Sequence, residues 1–139
     1  MKLLSHIDCL EILPADTATA MQGADCFPEI LAASFLPNYY RTAFAEGWVN
    51  PSAVFLSGKK IGLVGWHRAA DGGLWIDCCI AFEPLPTNFL WTVLAVLERE
   101  LEPKYVRFLT MRRGLAHLAA RHGFAATAVM MQKPGSVTK

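Results

Sequence analysis

The chain has 139 residues, enough for one domain with a full two- or three-layer core. Hydrophobic residues make up 53% and charged residues 18%, and the mean hydropathy is +0.29; together these predict a well-buried sheet, an oligomer interface or protein partner, or both. A net charge of +1 gives no footprint for nucleic acid or an anionic membrane, no apolar run reaches the ~18 residues of a membrane span, and Met1–Asp8 is too short and polar for a signal peptide, so a soluble, cytoplasmic protein is expected.

Residues 1–50 are read as a largely helical part. Leu3–Leu13 is read as a strand or a short helix ending at Pro14, and Asp16-Thr17 caps a helix running towards Ala24. Pro28 starts a helix over Glu29–Phe35, and Pro37 starts another over Asn38–Glu46, stopped by Gly47. Phe35, Tyr39, Tyr40, Phe44 and Trp48 recur at helical spacing and are read as core. Ala53–Ser57 is a short strand, Ser57-Gly58 a turn, and Lys60–Arg68 a strand with Ile61, Leu63, Gly65 and His67 on one face. Asp71-Gly72 marks a hairpin turn into the strand Leu74–Ala81, where strict alternation places Leu74, Ile76, Cys78 and Ile80 on one face and Trp75, Asp77 and Cys79 on the other. Apolar side chains on both faces of this pair predict a central, covered sheet.

Phe89–Leu101 is an amphipathic helix with the stripe Leu90, Val93, Leu94, Leu97 and Leu101, an N-cap at Thr87 or Asn88, and Thr92, Arg99 and Glu102 opposite. Pro103 prevents its continuation. A strand over Tyr105–Thr110 follows, then a helix over about Arg112–His122 that buries Leu115, Leu118 and Ala119 and is closed by Gly123 in the left-handed region. Ala126–Lys133 is the last strand and 134–139 a loose tail; the whole chain, 1–139, is read as one domain with its sheet-and-helix core in 51–133. The four cysteines, Cys9, Cys26, Cys78 and Cys79, lack a Cys-x-x-Cys spacing and are read as reduced, mostly buried thiols. The four histidines lack metal-ligand spacing, so no metal site is expected.

The order of hairpin, central strand, long helix, strand, and Gly114-Leu115-Ala116-His117-Leu118-Ala119-Ala120-Arg121-His122-Gly123-Phe124 before a last strand resembles the GCN5-related N-acetyltransferase (GNAT) superfamily over roughly residues 53–133. The resemblance implies an α/β fold with a mixed, twisted sheet flanked by helices on both faces. It also implies acetyl-CoA as cofactor and a small-molecule or protein amine as acceptor. Members bind the pyrophosphate with a glycine-rich loop entering the long helix. Here that stretch is Glu83-Pro84-Leu85-Pro86-Thr87-Asn88, with no glycine, two prolines and an acidic residue. The helix N-terminus remains as a weakened anion site, with Thr87 and Asn88 there and Arg112 and Arg113, beside His117, Arg121 and Arg107, as cations that could meet a phosphate, the bland alternative for that stripe being a solvated helix face. The tyrosine that many members use as general acid would fall at Ala119 or Ala120, which carry no proton to give.

Asp77 lies where the family often places an acidic base near the acceptor amine, and burial among apolar neighbours would raise its pKa towards the useful range. The bland alternative is an aspartate hydrogen-bonded at a strand edge. His67, on the neighbouring strand, is close enough to pair with Asp77 and assist as base, or else is a satisfied structural histidine. Two functions follow: an acyl-CoA-dependent N-acyltransferase using Asp77 and His67, or a protein that kept the fold and lost the reaction, a binding or structural protein such as a phage accessory or virion-associated protein.

Overall fold

The computed structural model describes residues 10–26, 36–84, 89–108 and 113–126. In chain order these form β1 (Leu10–Pro14), α1 (Thr17–Asp25), α2 (Leu36–Glu46), β2 (Asn50–Leu56), β3 (Lys59–Arg68), β4 (Leu74–Ala81), α3 (Phe89–Leu101), β5 (Val106–Phe108) and α4 (Arg113–Arg121). The strands make one sheet in the order β1-β2-β3-β4-β5, antiparallel from β1 to β4 and parallel between β4 and β5. The α/β class, the mixed sheet and the helices on both of its faces agree with the sequence reading. Contacts divide the chain into two compact units, Met1–Leu109 and Thr110–Lys139. Among the described residues no helix is long and apolar enough to cross a membrane.

In the first unit, α1 and α2 pack small side chains against the sheet. Ala20, Ala24, Ala43, Phe44, Val49 and Leu63 form a buried cluster, with Tyr40, Cys78, Ile80 and Phe82 packed around it. Gly65 of β3 lets the layers meet, since a Cβ there would stand 2.7 Å from the Cys78 Sγ and 2.9 Å from Val49. On β3 every residue from Ile61 to Gly65 is buried, as a strand covered on both faces requires. The α2 helix ends in a Schellman motif, with the Trp48 N–H on the Ala43 carbonyl at 2.9 Å, the Gly47 N–H on Phe44, and Gly47 at φ +80°. The same motif closes α4 in the second unit: the Phe124 N–H donates to Ala119 at 3.1 Å and the Gly123 N–H to Ala120 at 3.3 Å.

Several side chains depart from the sequence reading. Thr92 is buried, not opposite the apolar stripe, because α3 buries two rows: Trp91, Thr92 and Val96 alongside Val93, Leu94 and Leu97. Among the described residues no buried side-chain polar atom lacks a hydrogen bond. Tyr39, Trp48 and Leu118 are exposed; in Tyr39 the helical period simply continues past the face that α2 presents to the sheet. Cys26 and Cys79 are exposed as well, Cys26 standing just beyond the end of α1. The expected helix Glu29–Phe35 and strand Ala126–Lys133, apart from Ala126, lie outside the described residues.

Asp16 caps α1 as expected, its Oδ1 accepting from the Thr19 N–H at 2.8 Å. That hydrogen bond holds its carboxyl below the ordinary aspartate range. A carboxylate with a depressed folded-state pKa stabilises the fold fully above the unfolded value and loses that contribution as pH falls through the folded one. Acid unfolding should therefore have a component below the ordinary aspartate range that Asp16→Asn, which keeps a capping oxygen but cannot titrate, removes. Circular dichroism between neutral pH and pH 2 on the two proteins checks this.

Candidate functional site

The β3–β4 hairpin turns through Ala70–Gly72, with Gly72 at φ +93° as its left-handed residue. From there the two strands pair in one register, Arg68 with Leu74, His67 with Trp75 and Trp66 with Ile76, and then shift so that Gly65 pairs with Cys78. Asp77 is the extra residue, a β-bulge in the middle of β4. The bulge corrects the alternation read from the sequence. Gly65 and His67 share a face of β3, which runs regularly from Gly62 to Arg68 in this pairing, so their partners Cys78 and Trp75 share it too, although they are three residues apart. The side chain of Asp77 turns to that same face and meets His67, with Nδ1 and Oδ2 2.7 Å apart. Two residues that a regular strand pair would place on opposite faces are thereby joined.

The side chain of Asp77 is 21% exposed and that of His67 39% exposed, so the imidazole stands nearer to solvent and the carboxylate beneath it. Asp77 fixes Nδ1 as the protonated nitrogen when the ring is neutral, which leaves Nε2 with its lone pair. No hydrogen bond from the described residues occupies Nε2. The Trp75 ring lies parallel to the imidazole at 6.3 Å between centroids, and the Arg107 guanidinium lies over the other rings of this row, 5.8 Å from Trp75 and 4.1 Å from Tyr105.

Tyr40 was read only as core, yet it also anchors the bulge: its hydroxyl donates to the Asp77 carbonyl at 3.0 Å. Burial, then the nearby Cys78 and Asp77, push this hydroxyl well above the ordinary tyrosine range, so it stays a donor across the physiological range. The sequence holds a partial signal, since a tyrosine on the face of α2 that meets the sheet needs a polar partner there. Removing the hydroxyl in Tyr40→Phe should cost about 1 kcal/mol, as a half-buried hydrogen bond does. The larger consequence should be loosened Asp77–His67 geometry, read as a change in the His67 ring resonances by NMR. Burial pushes the Cys78 thiol up to about 12, so Cys78 is packing and not a nucleophile.

β5 pairs with β4 only over Leu74–Ile76, and among the described residues Asp77–Ala81 has no partner on that side. The Phe82 N–H donates to the Ile61 carbonyl at 2.9 Å. Antiparallel alternation from that pair turns the main-chain groups of Cys79 and Ala81 away from β3. A strand edge of this kind can hydrogen-bond an extended, amide-bearing chain. Glu83, the acidic residue of the loop that follows, is paired with Lys59 at 3.0 Å, which offsets its charge. Thr87, Asn88 and Arg112 lie outside the described residues; Arg113 opens α4, and its side chain lies outside them also. Ala119 is buried and Ala120 exposed on α4, and neither can donate a proton.

The architecture matches solved structures across nearly its whole length. A protein from Clostridium difficile 630 described as a possible acetyltransferase superposes with a TM-score of 0.64 at 11% identity, covering 94% of this chain and 99% of that one. A GNAT-family protein from Desulfovibrio desulfuricans gives 0.61 at 10% identity over 87% and 88% of the two chains. The aminoglycoside N-acetyltransferase AAC(6')-Iy, solved in complex with CoA, gives 0.57 at 10% identity over 92% and 95%. No protein-family model and no curated protein matches the sequence. The fold is that of the GNAT acetyltransferases, as the resemblance in the sequence implied.

Proposed function

We propose that the protein is a cytoplasmic acyl-CoA-dependent N-acetyltransferase in which His67 is the general base. The observation that carries this reading is the His67–Asp77 pair, set at a β-bulge of β4. Asp77 orients the imidazole and stabilises the charge that His67 takes up, and Nε2 receives the proton of an incoming amine. Tyr40 holds the bulge that brings the two together. The outward N–H of Cys79 would donate to a carbonyl oxygen placed beside β4, a preorganised arrangement that needs no rearrangement as charge develops. When bound, acetyl-CoA supplies the activated acyl group. Ala81 would hold its pantetheine arm, with Thr87, Asn88, Arg112 and Arg113 as the candidates for its phosphates. With no tyrosine at Ala119 or Ala120, no general acid for the departing thiolate is assigned; a thiolate needs the least help of the groups that could leave.

The glycine-free loop Glu83–Asn88 favours a second reading, in which the fold has lost the reaction and binds a partner. Calorimetry with acetyl-CoA and with CoA separates the two. Micromolar binding supports the transferase, and an amine screen following thiol release then identifies the acceptor; absence of binding at millimolar ligand removes it.

A further inference from the structure

Beside the proposed base stands a cation that the reaction does not use. Arg107 is exposed, and its guanidinium lies over the Tyr105 ring, at 4.1 Å, and over the Trp75 ring, at 5.8 Å. No carboxylate of the described residues lies within ion-pair distance of it. Asp71 feels its charge, but the Asp71 Oδ1 is already engaged by the Tyr105 hydroxyl and, at 3.1 Å, by the Gly73 N–H. Arg68, the other arginine at this end of the sheet, is spent on the Leu101 carbonyl at the end of α3. Ring contacts on the π faces of a guanidinium leave its edge donors free, and that planar fork matches a carboxylate in two parallel hydrogen bonds. Holding the side chain before a ligand arrives lowers the entropic cost of binding one.

The position of Arg107 relative to the base defines what such a ligand is. His67 pairs with Trp75, and Trp75 with Arg107, so the three residues stand level on three adjacent strands. Their side chains share one face, because His67 and Arg107 both lie against the Trp75 ring. At ~4.8 Å between strands, the base and the cation are about 10 Å apart. We propose that Arg107 binds a carboxylate at the far end of the acceptor, so that the acceptor class is a short peptide or similar amino carboxylate whose amine reaches His67. An extended tripeptide spans about 10 Å, and the half-buried Trp75 ring between the two ends suits an apolar or aromatic middle residue.

This assignment rests on the transferase reading for the direction of the amine, and its test separates the two. Gly-Phe-Gly and its C-terminal amide are titrated into the full-length protein by calorimetry, then assayed with acetyl-CoA. The acid should bind roughly tenfold or more tightly than the amide, the worth of a charge-assisted pair. Arg107→Gln should weaken the acid alone and erase the difference, and Arg107→Lys should restore part of it. Equal affinities, a difference that survives Arg107→Gln, or no binding of either peptide overturns the site. Acid-selective binding through Arg107 without acetylation of any amine leaves the site standing and removes the transferase. Acetylation of both peptides with equal kcat/KM does the reverse.

Discussion

Replacing His67 with glutamine is expected to lower kcat for acetyl transfer by roughly 10²–10⁴-fold, the usual worth of a positioned general base, while leaving acetyl-CoA affinity unchanged. Glutamine keeps polarity and approximate size at a position that is 39% exposed, so the fold should tolerate it. The loss should fall on kcat and kcat/KM alike, because deprotonation of the amine is needed only on the way to the transition state. Asp77→Asn should act in the same direction through a different route. An amide opposite Nδ1 can donate to it, which favours the tautomer carrying its proton on Nε2 and so removes the base. The two losses should be strongly non-additive, as for groups acting as one unit, and the double variant should be little worse than His67→Gln. Activity within about threefold of wild type in His67→Gln would place the base elsewhere, a threefold change being under 1 kcal/mol.

Much of this fold is legible in the sequence because periodicity and end signals reinforce one another. Phe89–Leu101 has an apolar stripe, polar residues at its start and Pro103 after it, and β4 lies between a glycine turn and Pro84; both elements have the predicted bounds. The order of elements over residues 53–124 then suffices for the family resemblance. The candidate site is only half legible. That His67 and Asp77 lie on adjoining strands follows from the hairpin, but their junction depends on an extra residue in β4, and an alternating pattern carries no mark of where a ladder slips. A strict reading of β4 puts Asp77 with Cys79 and away from Cys78. The bulge forms where Gly65 admits Cys78 and Val49 at close range and Tyr40 supplies a donor from another element. Each of those contacts is non-local, as is the stacking of Arg107 on two rings, which sequence spacing reduced to one more surface cation.

Leu63→Ala is expected to be the most damaging single truncation in the cluster beneath α1 and α2, at about 4–5 kcal/mol, the upper part of the range for buried leucine. Leu63 is fully buried, and its neighbours Ala20, Ala24 and Ala43 are too short to move into the space it leaves. The missing volume should therefore stay as a cavity, which is the condition for a large loss. Gly23 of α1 offers an internal check. A Cβ at Gly23 would stand 3.1 Å from the Leu63 Cδ1 and 3.3 Å from Cδ2, so Gly23→Ala alone sets crowding against a gain in helix propensity of about 1 kcal/mol. In the Leu63→Ala background the crowding is gone and the new methyl enters the cavity, so the same substitution should recover at least 1 kcal/mol. Urea unfolding of the four proteins measures this: the midpoints should show favourable coupling at unchanged m. Strict additivity would mean that α1 does not hold its glycine face against Leu63 in solution, and the register of this helix on the sheet would have to be redrawn.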